Sequence, residues 1–263
     1  MESLKNYVKV HLPGRALPVI TSLYIKLRQF FSFFFYFGFR HFCPCCCGHF
    51  RKFLLYRAGK RTDIVCPVCF SWERQRFVML FLRERTSFFS GHLRVLHFAP
   101  EKSFRKAFRK IKGLDYVSAD IDQNVAMLEM DVTNIRFVDN TFDVIICNHV
   151  LEHVADDKKA MGELFRVLKP QGWAILQVPI DAALEHTAEN PEIVSPEERE
   201  KLFGQFDHVR LYGRDYRKRL EEAGFKVTVH DYARELGPVL REIHGIPDTA
   251  SEPDIYYCEK PRL

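Results

Sequence analysis

From residue 93 onward the chain alternates short apolar runs with stretches of helical periodicity, and this alternation restricts the fold more than any other feature. Short apolar runs are typical of strands buried on both faces of a parallel sheet. Strands joined by helical crossovers form a doubly wound sheet with helices on both faces. The sequence therefore predicts an α/β fold with a mainly parallel sheet, whose first strands are RVLHFA (94–99), DYVSA (115–119), FDVIIC (142–147) and WAILQV (173–178).

The segments between and after these strands complete the pattern. Apolar residues recur at i, i+3, i+4 and i+7 within residues 157–168, and segment 101–112 also places its apolar residues on one face, which predicts a helix in each. The runs 225–230 and 254–260 predict an antiparallel pair that completes the sheet. Residues 181–212 are acidic and interrupted by prolines, so they form either a lid over a ligand site or a surface loop with one short helix.

Charge is distributed unevenly along the chain. Residues 1–92 contain 15 Lys and Arg and 4 Asp and Glu, a net charge of +11, and the other residues have a net charge of −6, which gives the total of +5. A basic segment favours contact with phosphate groups, either of RNA or of an anionic membrane surface. It is also consistent with a solvated surface that balances bound thiolates and the acidic second part of the chain.

The start of the chain bears on its location in the cell. The first 15 residues lack the continuous apolar run and the small-residue cleavage site of a secretory signal, so we expect a cytoplasmic protein. The Phe-rich run FFSFFFYFGF spans ten residues, 30–39, whereas a helix that crosses a bilayer needs about 20, and we expect no transmembrane segment. The run either packs against the following domain or lies in a membrane interface, which would make the protein peripheral to a membrane.

The chain has eight cysteines and no export signal, which argues against a disulfide framework because a reducing cytosol keeps thiols free. Cys43, Cys46, Cys66 and Cys69 have the spacing C-x2-C-x19-C-x2-C, which is typical of a four-cysteine zinc site. Four thiolates complete a tetrahedral coordination sphere and leave no position for water or substrate. The spacing therefore predicts a structural zinc ion.

Neighbouring cysteines leave two alternatives open. Cys45 and Cys47 lie in the same CPCCCG segment and could replace one of its two ligands. The CPVC segment alone also resembles a dithiol redox motif, although that chemistry does not need the first cysteine pair.

Five further segments match a known family in order: VLHFAPE, DYVSADID, MDVTNIRFVDNTFDVIICNHVLEHV, RVLKPQGWAILQVPI and FGQFDHVRLYGRDYRKRLEEAGF. Together they resemble class I S-adenosylmethionine-dependent methyltransferases of the type-11 group, and within it a subgroup with an N-terminal cysteine-rich module, where CPVCFSWERQR also fits. The resemblance covers about residues 43–259. With the charge distribution, the sequence therefore predicts three parts: a basic, Phe-rich segment (1–42), a small zinc module with a linking helix (43–92) and a Rossmann-like methyltransferase domain (93–263).

The resemblance implies an S-adenosylmethionine site at the carboxyl ends of the strands. The loop HFAPE contains no glycine, unlike the Gly-rich segment of other family members, although it agrees with the subgroup. Since S-adenosylmethionine carries no phosphate, this loop need not present a row of bare N–H groups. By the resemblance, Ala99, Pro100 and Glu101 would line the methionine end, and Glu101 would meet its ammonium group.

Other strand ends supply the remaining cofactor contacts. Asp120 ends the second strand, where one carboxylate can accept hydrogen bonds from both ribose hydroxyls. By the resemblance, Asp131 and Val132 would face the adenine, and Asn148 would lie below the sulfonium.

Methyl transfer requires alignment of the acceptor and, where the acceptor is protonated, removal of its proton. His149 and His208 are candidate catalytic bases because histidine titrates near neutral pH, although either could be structural. Tyr212 could orient an acceptor or only pack. The segment HVLEH (149–153) also fits the H-x-x-E-H pattern of some zinc peptidases, but that pattern needs both histidines on one helix and His149 closely follows a strand.

We therefore expect a methyltransferase that acts on a small-molecule or carbohydrate-like acceptor. One alternative is an RNA methyltransferase whose basic zinc module grips RNA, although the segment NHVL lacks the Asn/Asp-Pro-Pro-aromatic box of many amino-group nucleic-acid methylases. The other is a non-catalytic binding module whose Gly-less loop has lost the cofactor.

Overall fold

A computed structural model of the chain describes residues 31, 34–58, 61–247 and 254–262. Two antiparallel hairpins and one helix form the cysteine-rich part: β1 (Phe37–Cys43) with β2 (Gly48–Phe50), β3 (Leu54–Ala58) with β4 (Arg61–Val65), and α1 (Glu73–Glu84).

The Phe-rich run lies where the described chain begins. Most of the predicted basic segment 1–42 lies outside the described residues, including Phe30 and Phe33 of the run. Phe34 and Phe39 are exposed over 63% and 80% of their surface. None of the helices in the described ranges is both long and apolar enough to cross a membrane.

The remaining elements form an α/β sheet with its crossovers. In chain order they are β5 (Leu93–Phe98), α2 (Lys102–Phe108), β6 (Leu114–Asp120), β7 (Leu128–Glu129), β8 (Phe142–Asn148), a 3-10 turn (Leu151–His153), α3 (Asp157–Val167) and β9 (Leu168–Gln177). An inserted hairpin follows, made of β10 (Ala188–Glu189), α4 (Pro196–Phe203) and β11 (Arg210–Leu211). The last elements are α5 (Tyr216–Glu222), β12 (Lys226–His230), α6 (Tyr232–His244) and β13 (Ile255–Glu259).

Seven strands form one sheet in the order β12-β13-β9-β8-β5-β6-β7. β5 pairs in parallel with both β6 and β8, and β8 pairs in parallel with β9. β13 lies antiparallel between β9 and β12. These pairings confirm the predicted mainly parallel sheet with a closing antiparallel pair. The strand order reverses between β5 and β8, and ligands of such sheets bind at the carboxyl ends of the strands at this point.

Alternate residues of the central strands are buried on opposite faces of the sheet. Val95 and Ile146 belong to one apolar core, and Leu96 and Ile145 belong to the other. Side chains of α1, α2 and α6 cover the first face, and those of α3 and α5 cover the second. Burying one such side chain contributes about 1.5–3 kcal/mol, so both faces stabilise the sheet.

The cysteine-rich part shares the first of these cores. Cys43, Phe50 and Phe53 are buried in the same cluster as Phe77 of α1 and Val95 of β5. The cysteine-rich part is therefore packed directly on the sheet, and the boundary expected near residue 92 stays a prediction.

Arg76 of α1 joins the cysteine-rich part to α6. The side chain is fully buried, and it donates to the carbonyls of His244 and Gly245 at the end of α6, at 2.7 Å each. It also donates to the carbonyls of Ser71 at 2.6 Å and Ile64 at 3.0 Å. Carbonyls at a helix C-terminus lack intrahelical partners and carry partial negative charge. The guanidinium therefore caps α6 and holds the cysteine loops against it.

One predicted helix is shorter than expected. The pattern over residues 101–112 forms α2, which ends at Phe108. The amides of Lys110 and Ile111 bond to carbonyls three residues earlier, which tightens the last turn and ends the helix. Gly113, with a φ of 95°, then directs the chain into β6 in a conformation that favours glycine.

Replacing Arg76 by methionine should destabilise the whole chain. Arg76→Met keeps an apolar stem but removes a buried guanidinium that donates to four backbone carbonyls, so we expect a loss of about 3–5 kcal/mol in the free energy of unfolding. Urea denaturation measures this loss. The control is Arg217→Met, which removes an exposed pair with Glu221 and should cost less than about 1 kcal/mol. Equal midpoints for the two variants would contradict the role of Arg76.

Candidate functional site

A cavity of about 690 Å³ opens at the carboxyl ends of β5, β6 and β8. Ala99, Asp120 and His149 follow or end these three strands, and all three line the cavity. Asp131 and Val132, in the loop after β7, line it as well. The structure thus brings together, at the reversal of strand order, five residues that the sequence indicated as functional.

Two of these residues have backbone conformations that are unusual for side chains other than glycine. Ala99 has a φ of 45° and His149 a φ of 55°. Their amides are held by the neighbouring strands, since Ala99 N donates to Ala119 O at 2.9 Å and His149 N donates to Gln177 O at 2.8 Å. Strained backbone of this kind is concentrated at functional sites, where the surrounding structure maintains it.

Glu101 is held by the strands around the Gly-less loop. Its Oε2 lies 2.7 Å from Nε2 of the fully buried His97, whose Nδ1 lies 3.0 Å from the hydroxyl of Tyr116. Asn148 Nδ2 donates to Glu101 Oε1 at 3.3 Å. Burial raises the pKa of Glu101, but the hydrogen bond and charge of His97 outweigh burial, so the pKa lies below its ordinary value. The ionised carboxylate therefore ties the loop to β5, β6 and β8.

Three residues predicted to contact the cofactor are absent from the lining of the cavity. Pro100, Glu101 and Asn148 are not among the described residues that line it. Asn148 is only 5% exposed, and its Oδ1 has no hydrogen-bond partner in the described part of the chain. Leaving a buried amide oxygen unpaired costs about 1–3 kcal/mol, so a donor on a bound ligand would stabilise this position.

Asp120 and Asp131 both use one carboxylate oxygen to fix their own loops. Oδ1 of Asp120 accepts from the amide of Asp122, and Oδ1 of Asp131 accepts from the amide of Thr133, each at 2.8 Å. These short-range bonds set the orientation of both side chains and leave the second oxygen for a ligand hydroxyl or amine.

The cavity wall is acidic. Asp156 and Asp207 join Asp120 and Asp131 around it, and none of the described lining residues is a lysine or an arginine. Such a wall favours a ligand with positive charge, such as a sulfonium or an ammonium group, and disfavours phosphate.

The insertion (residues 181–212) is fastened to the 3-10 turn beside the cavity. The buried Arg210 donates to the carbonyls of Leu151 and Ala155 at 2.9 Å each. It also donates to Glu189 Oε2 at 2.9 Å. The insertion thereby places Asp207 in the cavity wall, which favours the lid over a plain surface loop.

The structure separates the two candidate bases. His149 lines the cavity, whereas His208 is buried behind His153, with ring centroids 4.8 Å apart. Nδ1 of His208 donates to the carbonyl of Phe203 at 2.9 Å. Tyr212 is fully buried and donates to a carboxylate of α3, so its contacts are those of a packed residue.

Three residues around the cavity have no predicted role in methyl transfer. Glu152 and His153 have a predicted role only in the peptidase pattern, and Asp207 has none. His149 precedes the 3-10 turn, so the two histidines of that pattern share no helix, as expected. The H-x-x-E-H pattern is the sequence signal that points to Glu152 and His153. The position of Asp207 depends on how the insertion folds, so no local pattern indicates it.

The four predicted zinc ligands lie together in the cysteine-rich part. The sulfurs of Cys43, Cys46, Cys66 and Cys69 are all within 4.8 Å of one another. Cys43 Sγ lies 3.6 Å from Cys69 Sγ, and Cys46 Sγ lies 3.8 Å from Cys66 Sγ. Sulfurs bound tetrahedrally at about 2.3 Å from zinc are about 3.8 Å apart, so the spacing fits such an ion.

The other two cysteines of the CPCCCG segment lie outside this cluster. Cys45 Sγ donates to the carbonyl of Gln75 at 3.7 Å. Cys47 is exposed, and Arg83 donates to its sulfur at 3.5 Å. Burial raises the pKa of the Cys66 thiol, and a bound cation would offset that effect by favouring the thiolate.

Comparison with known proteins identifies the family. A family model described as a methyltransferase domain matches residues 90–230, which is more than half of the chain. The chain therefore belongs to this family of methyltransferase domains. Its fold and the match place it among class I S-adenosylmethionine-dependent methyltransferases, which confirms that part of the resemblance.

Two curated relatives match over short segments. The ubiquinone/menaquinone biosynthesis C-methyltransferase UbiE of Pasteurella multocida is 43% identical over 72 residues, which is 27% of this chain and 25% of the relative. UbiE of Idiomarina loihiensis is 39% identical over 64 residues, 23% of this chain and 26% of the relative. The chain thus spans about a quarter of the length of these relatives.

A solved structure shows the same fold. The (4+2)-cyclase SpnF superimposes with a TM-score of 0.50 and 16% identity, over 81% of this chain and 89% of that chain. SpnF is named as a cyclase and shares this architecture, so the fold alone does not define the reaction.

Replacing Glu101 by glutamine should lower stability in a pH-dependent way. Because the folded-state pKa of Glu101 is lowered, its contribution is present above the unfolded value of about 4.3 and is lost as the pH falls through the folded value. We expect Glu101→Gln to cost about 1.5–3 kcal/mol at pH 7, with a smaller difference from wild type below about pH 4. Urea unfolding at pH 7 and below about pH 4 measures the difference in the free energy of unfolding between the variant and wild type. The exposed Glu185→Gln serves as the control, and a Glu101→Gln difference that did not change with pH would contradict the pairing.

Proposed function

We propose that this protein binds S-adenosylmethionine in the cavity at the carboxyl ends of β5, β6 and β8 and methylates a small-molecule acceptor. The observation that carries the proposal is the convergence of Ala99, Asp120, Asp131, Val132 and His149 on one cavity of about 690 Å³. Ligand pockets in proteins typically have volumes of about 300–1,000 Å³. Bound S-adenosylmethionine would supply an activated methyl carbon on a positively charged sulfur.

The residues present suit such a cofactor. Asp120 would accept hydrogen bonds from the ribose hydroxyls with the oxygen that its own loop does not use. Asp131 and Val132 would contact the adenine as a polar and an apolar partner. Because the wall is acidic, it also complements the sulfonium and ammonium charges.

The methionine end would lie against the Gly-less loop. Ala99 would contact it directly, with Pro100 and Glu101 supporting the loop from behind. Asn148 Oδ1, which has no hydrogen-bond partner in the described part of the chain, would lie below the sulfonium. In this assignment Glu101 acts through electrostatic attraction to the ammonium group while it keeps its bond to His97.

The acceptor is proposed to be a small molecule or a carbohydrate-like molecule. Four carboxylates around the cavity would repel the phosphates of RNA. The matched segments of UbiE belong to enzymes named as ubiquinone/menaquinone biosynthesis C-methyltransferases. His149, on the cavity wall, is the proposed proton acceptor where the acceptor must lose a proton. Tight binding to total RNA that weakened steeply with salt would instead favour the RNA alternative.

We also propose that Cys43, Cys46, Cys66 and Cys69 bind one structural zinc ion. Support comes from the sulfur separations and from the burial of the cluster against α1. Burial raises the pKa of the Cys45 thiol beside the cluster, and the positive charge of the buried Arg76 guanidinium opposes that rise. The same positive charge would offset part of the −2 charge of a four-thiolate zinc centre.

Asp120→Ala should weaken S-adenosylmethionine binding. Loss of two charge-assisted hydrogen bonds should raise the dissociation constant roughly 10- to 100-fold. Calorimetric titration with S-adenosylmethionine and with its demethylated product measures this. The control is Asp122→Ala, which removes an adjacent carboxylate that fixes only its own loop. Equal binding by wild type and Asp120→Ala would refute the cofactor assignment.

Metal analysis of the dialysed protein should return one zinc per chain. Cys66→Ser should lose the zinc and unfold more readily, because a structural ion contributes directly to folding. Cys47→Ser changes an exposed cysteine of the neighbouring segment and should keep the zinc. A folded wild-type protein without zinc, or loss of zinc in Cys47→Ser, would contradict the proposed ligand set.

A further inference from the structure

A second cluster of metal-ligating groups lies beside the cavity. One ligand atom each of Glu152, His153 and His208 lies within 4.8 Å of the others. Glu152 and His208 are buried, and the His153 side chain is 31% exposed. His153 lines the cavity, so the cluster borders the space assigned to the cofactor and acceptor.

Both histidines are oriented by hydrogen bonds at Nδ1. Nδ1 of His208 donates to the carbonyl of Phe203 at 2.9 Å. Nδ1 of His153 lies 3.3 Å from the carbonyl of Asp207 and 3.4 Å from its Oδ2. An N–H at Nδ1 leaves the lone pair on Nε2. Metal-bound histidines commonly donate their other nitrogen to a carbonyl or carboxylate in this way.

Glu152 provides an independent indication of a missing ligand. Its side chain is 1% exposed, and Oε2 has no hydrogen-bond partner in the described part of the chain. Oε1 lies 3.4 Å from Nδ1 of His149. A buried carboxylate with an unpaired oxygen is costly unless a cation or donors satisfy it. A divalent ion between Glu152 and the two imidazoles would satisfy it.

The cluster is also held in place by the backbone. Val209 N donates to Glu152 O at 2.9 Å. Arg210 donates to the carbonyl of Leu151, the first residue of the turn, and to that of Ala155, which follows the turn. The insertion that carries His208 is therefore fixed to the turn that carries Glu152. Atoms bound to one ion lie about 3–3.5 Å apart, so small side-chain rotations would close the set.

We infer that Glu152, His153 and His208 form a binding site for one divalent transition-metal cation, open towards the cavity, that holds a hydroxyl oxygen of the methyl acceptor. This inference rests on the proposed function, because it places the cation on the acceptor side of the S-adenosylmethionine site. One carboxylate and two imidazoles are typical ligands of such ions. Three protein ligands leave coordination positions for an acceptor.

The cation would make the acceptor oxygen a better nucleophile. A bound hydroxyl would lose its proton more readily to His149, the proposed proton acceptor on the same cavity wall, because the cation stabilises the alkoxide. The new bond forms between that oxygen and the methyl carbon as the bond from methyl to sulfur breaks. The electron pair of the broken bond stays on sulfur, which becomes a neutral thioether. Unlike the H-x-x-E-H peptidase pattern, this site uses Glu152 as a ligand and takes its second histidine from the insertion.

The test uses Co²⁺ with the full-length, zinc-loaded protein, so that the four-cysteine cluster is already filled. We expect one further Co²⁺ per chain by calorimetry. Its visible d–d absorption should appear without a sulfur-to-metal charge-transfer band, because the ligands are nitrogen and oxygen. Glu152→Gln and His208→Gln should each weaken Co²⁺ binding roughly tenfold or more. His186→Gln, an exposed histidine of the same insertion, should leave it unchanged.

Two results would overturn the inference: no saturable Co²⁺ binding beyond the zinc in wild type, or undiminished binding in Glu152→Gln. The wild-type stoichiometry does not depend on the folding of any variant, so the first result is decisive alone. S-adenosylmethionine titration of the same samples keeps the two proposals distinguishable. Cofactor binding without Co²⁺ binding would refute the cation site and leave the proposed function standing, and Co²⁺ binding without cofactor binding would refute the proposed function.

Discussion

The buried contact between His97 and Glu101 fixes the loop that carries Ala99 into the cavity wall, a loop that has no glycine to make its turn. Ala99 has a φ of 45°, a conformation that costs a residue with a Cβ about 1–2 kcal/mol. The loop can maintain it because Glu101 is bonded to β5 through His97 and to the end of β8 through Asn148. The anchored carboxylate thus stabilises a turn that glycine would otherwise make, and the loop is more rigid than a loop that depends on glycine.

The 3-10 turn and the insertion beside the cavity depend on a buried arginine in a similar way. Arg210 donates hydrogen bonds to carbonyls in and just after the 3-10 turn and to the carboxylate of Glu189 in the insertion. Arg76 does the equivalent for the cysteine-rich part and α6. Each guanidinium donates to several backbone carbonyls at once, which suits a planar group with five N–H donors. The three parts of the molecule therefore meet through charged groups buried among backbone acceptors.

Hydrophobic periodicity and the spacing of motif residues predict those features of the fold that depend on residues close together in the sequence. The central strands, the helix α3 and the closing antiparallel pair follow from local patterns, and so does the position of Asp120 at a strand end. The four-cysteine cluster followed from two short spacings. The position of His208 behind His153 could not be predicted, because it depends on how the insertion packs on a turn more than 50 residues earlier. The attachment of Arg76 to α6 could not be predicted from the sequence either, because its acceptors lie 168 and 169 residues away in the chain.

The charges around the cavity set two opposing requirements for methyl transfer. Carboxylates such as Asp120 and Asp207 stabilise a sulfonium, but they also disfavour an alkoxide forming nearby, because like charges raise the pKa of a hydroxyl. A neutral acceptor that needs no ionisation would avoid the conflict. An acceptor that must ionise needs positive charge on its own side of the cavity. Since no lysine or arginine is among the described lining residues, the cluster of Glu152, His153 and His208 is where a cation could supply that charge, within reach of the acceptor and on the side of the cavity formed by the insertion.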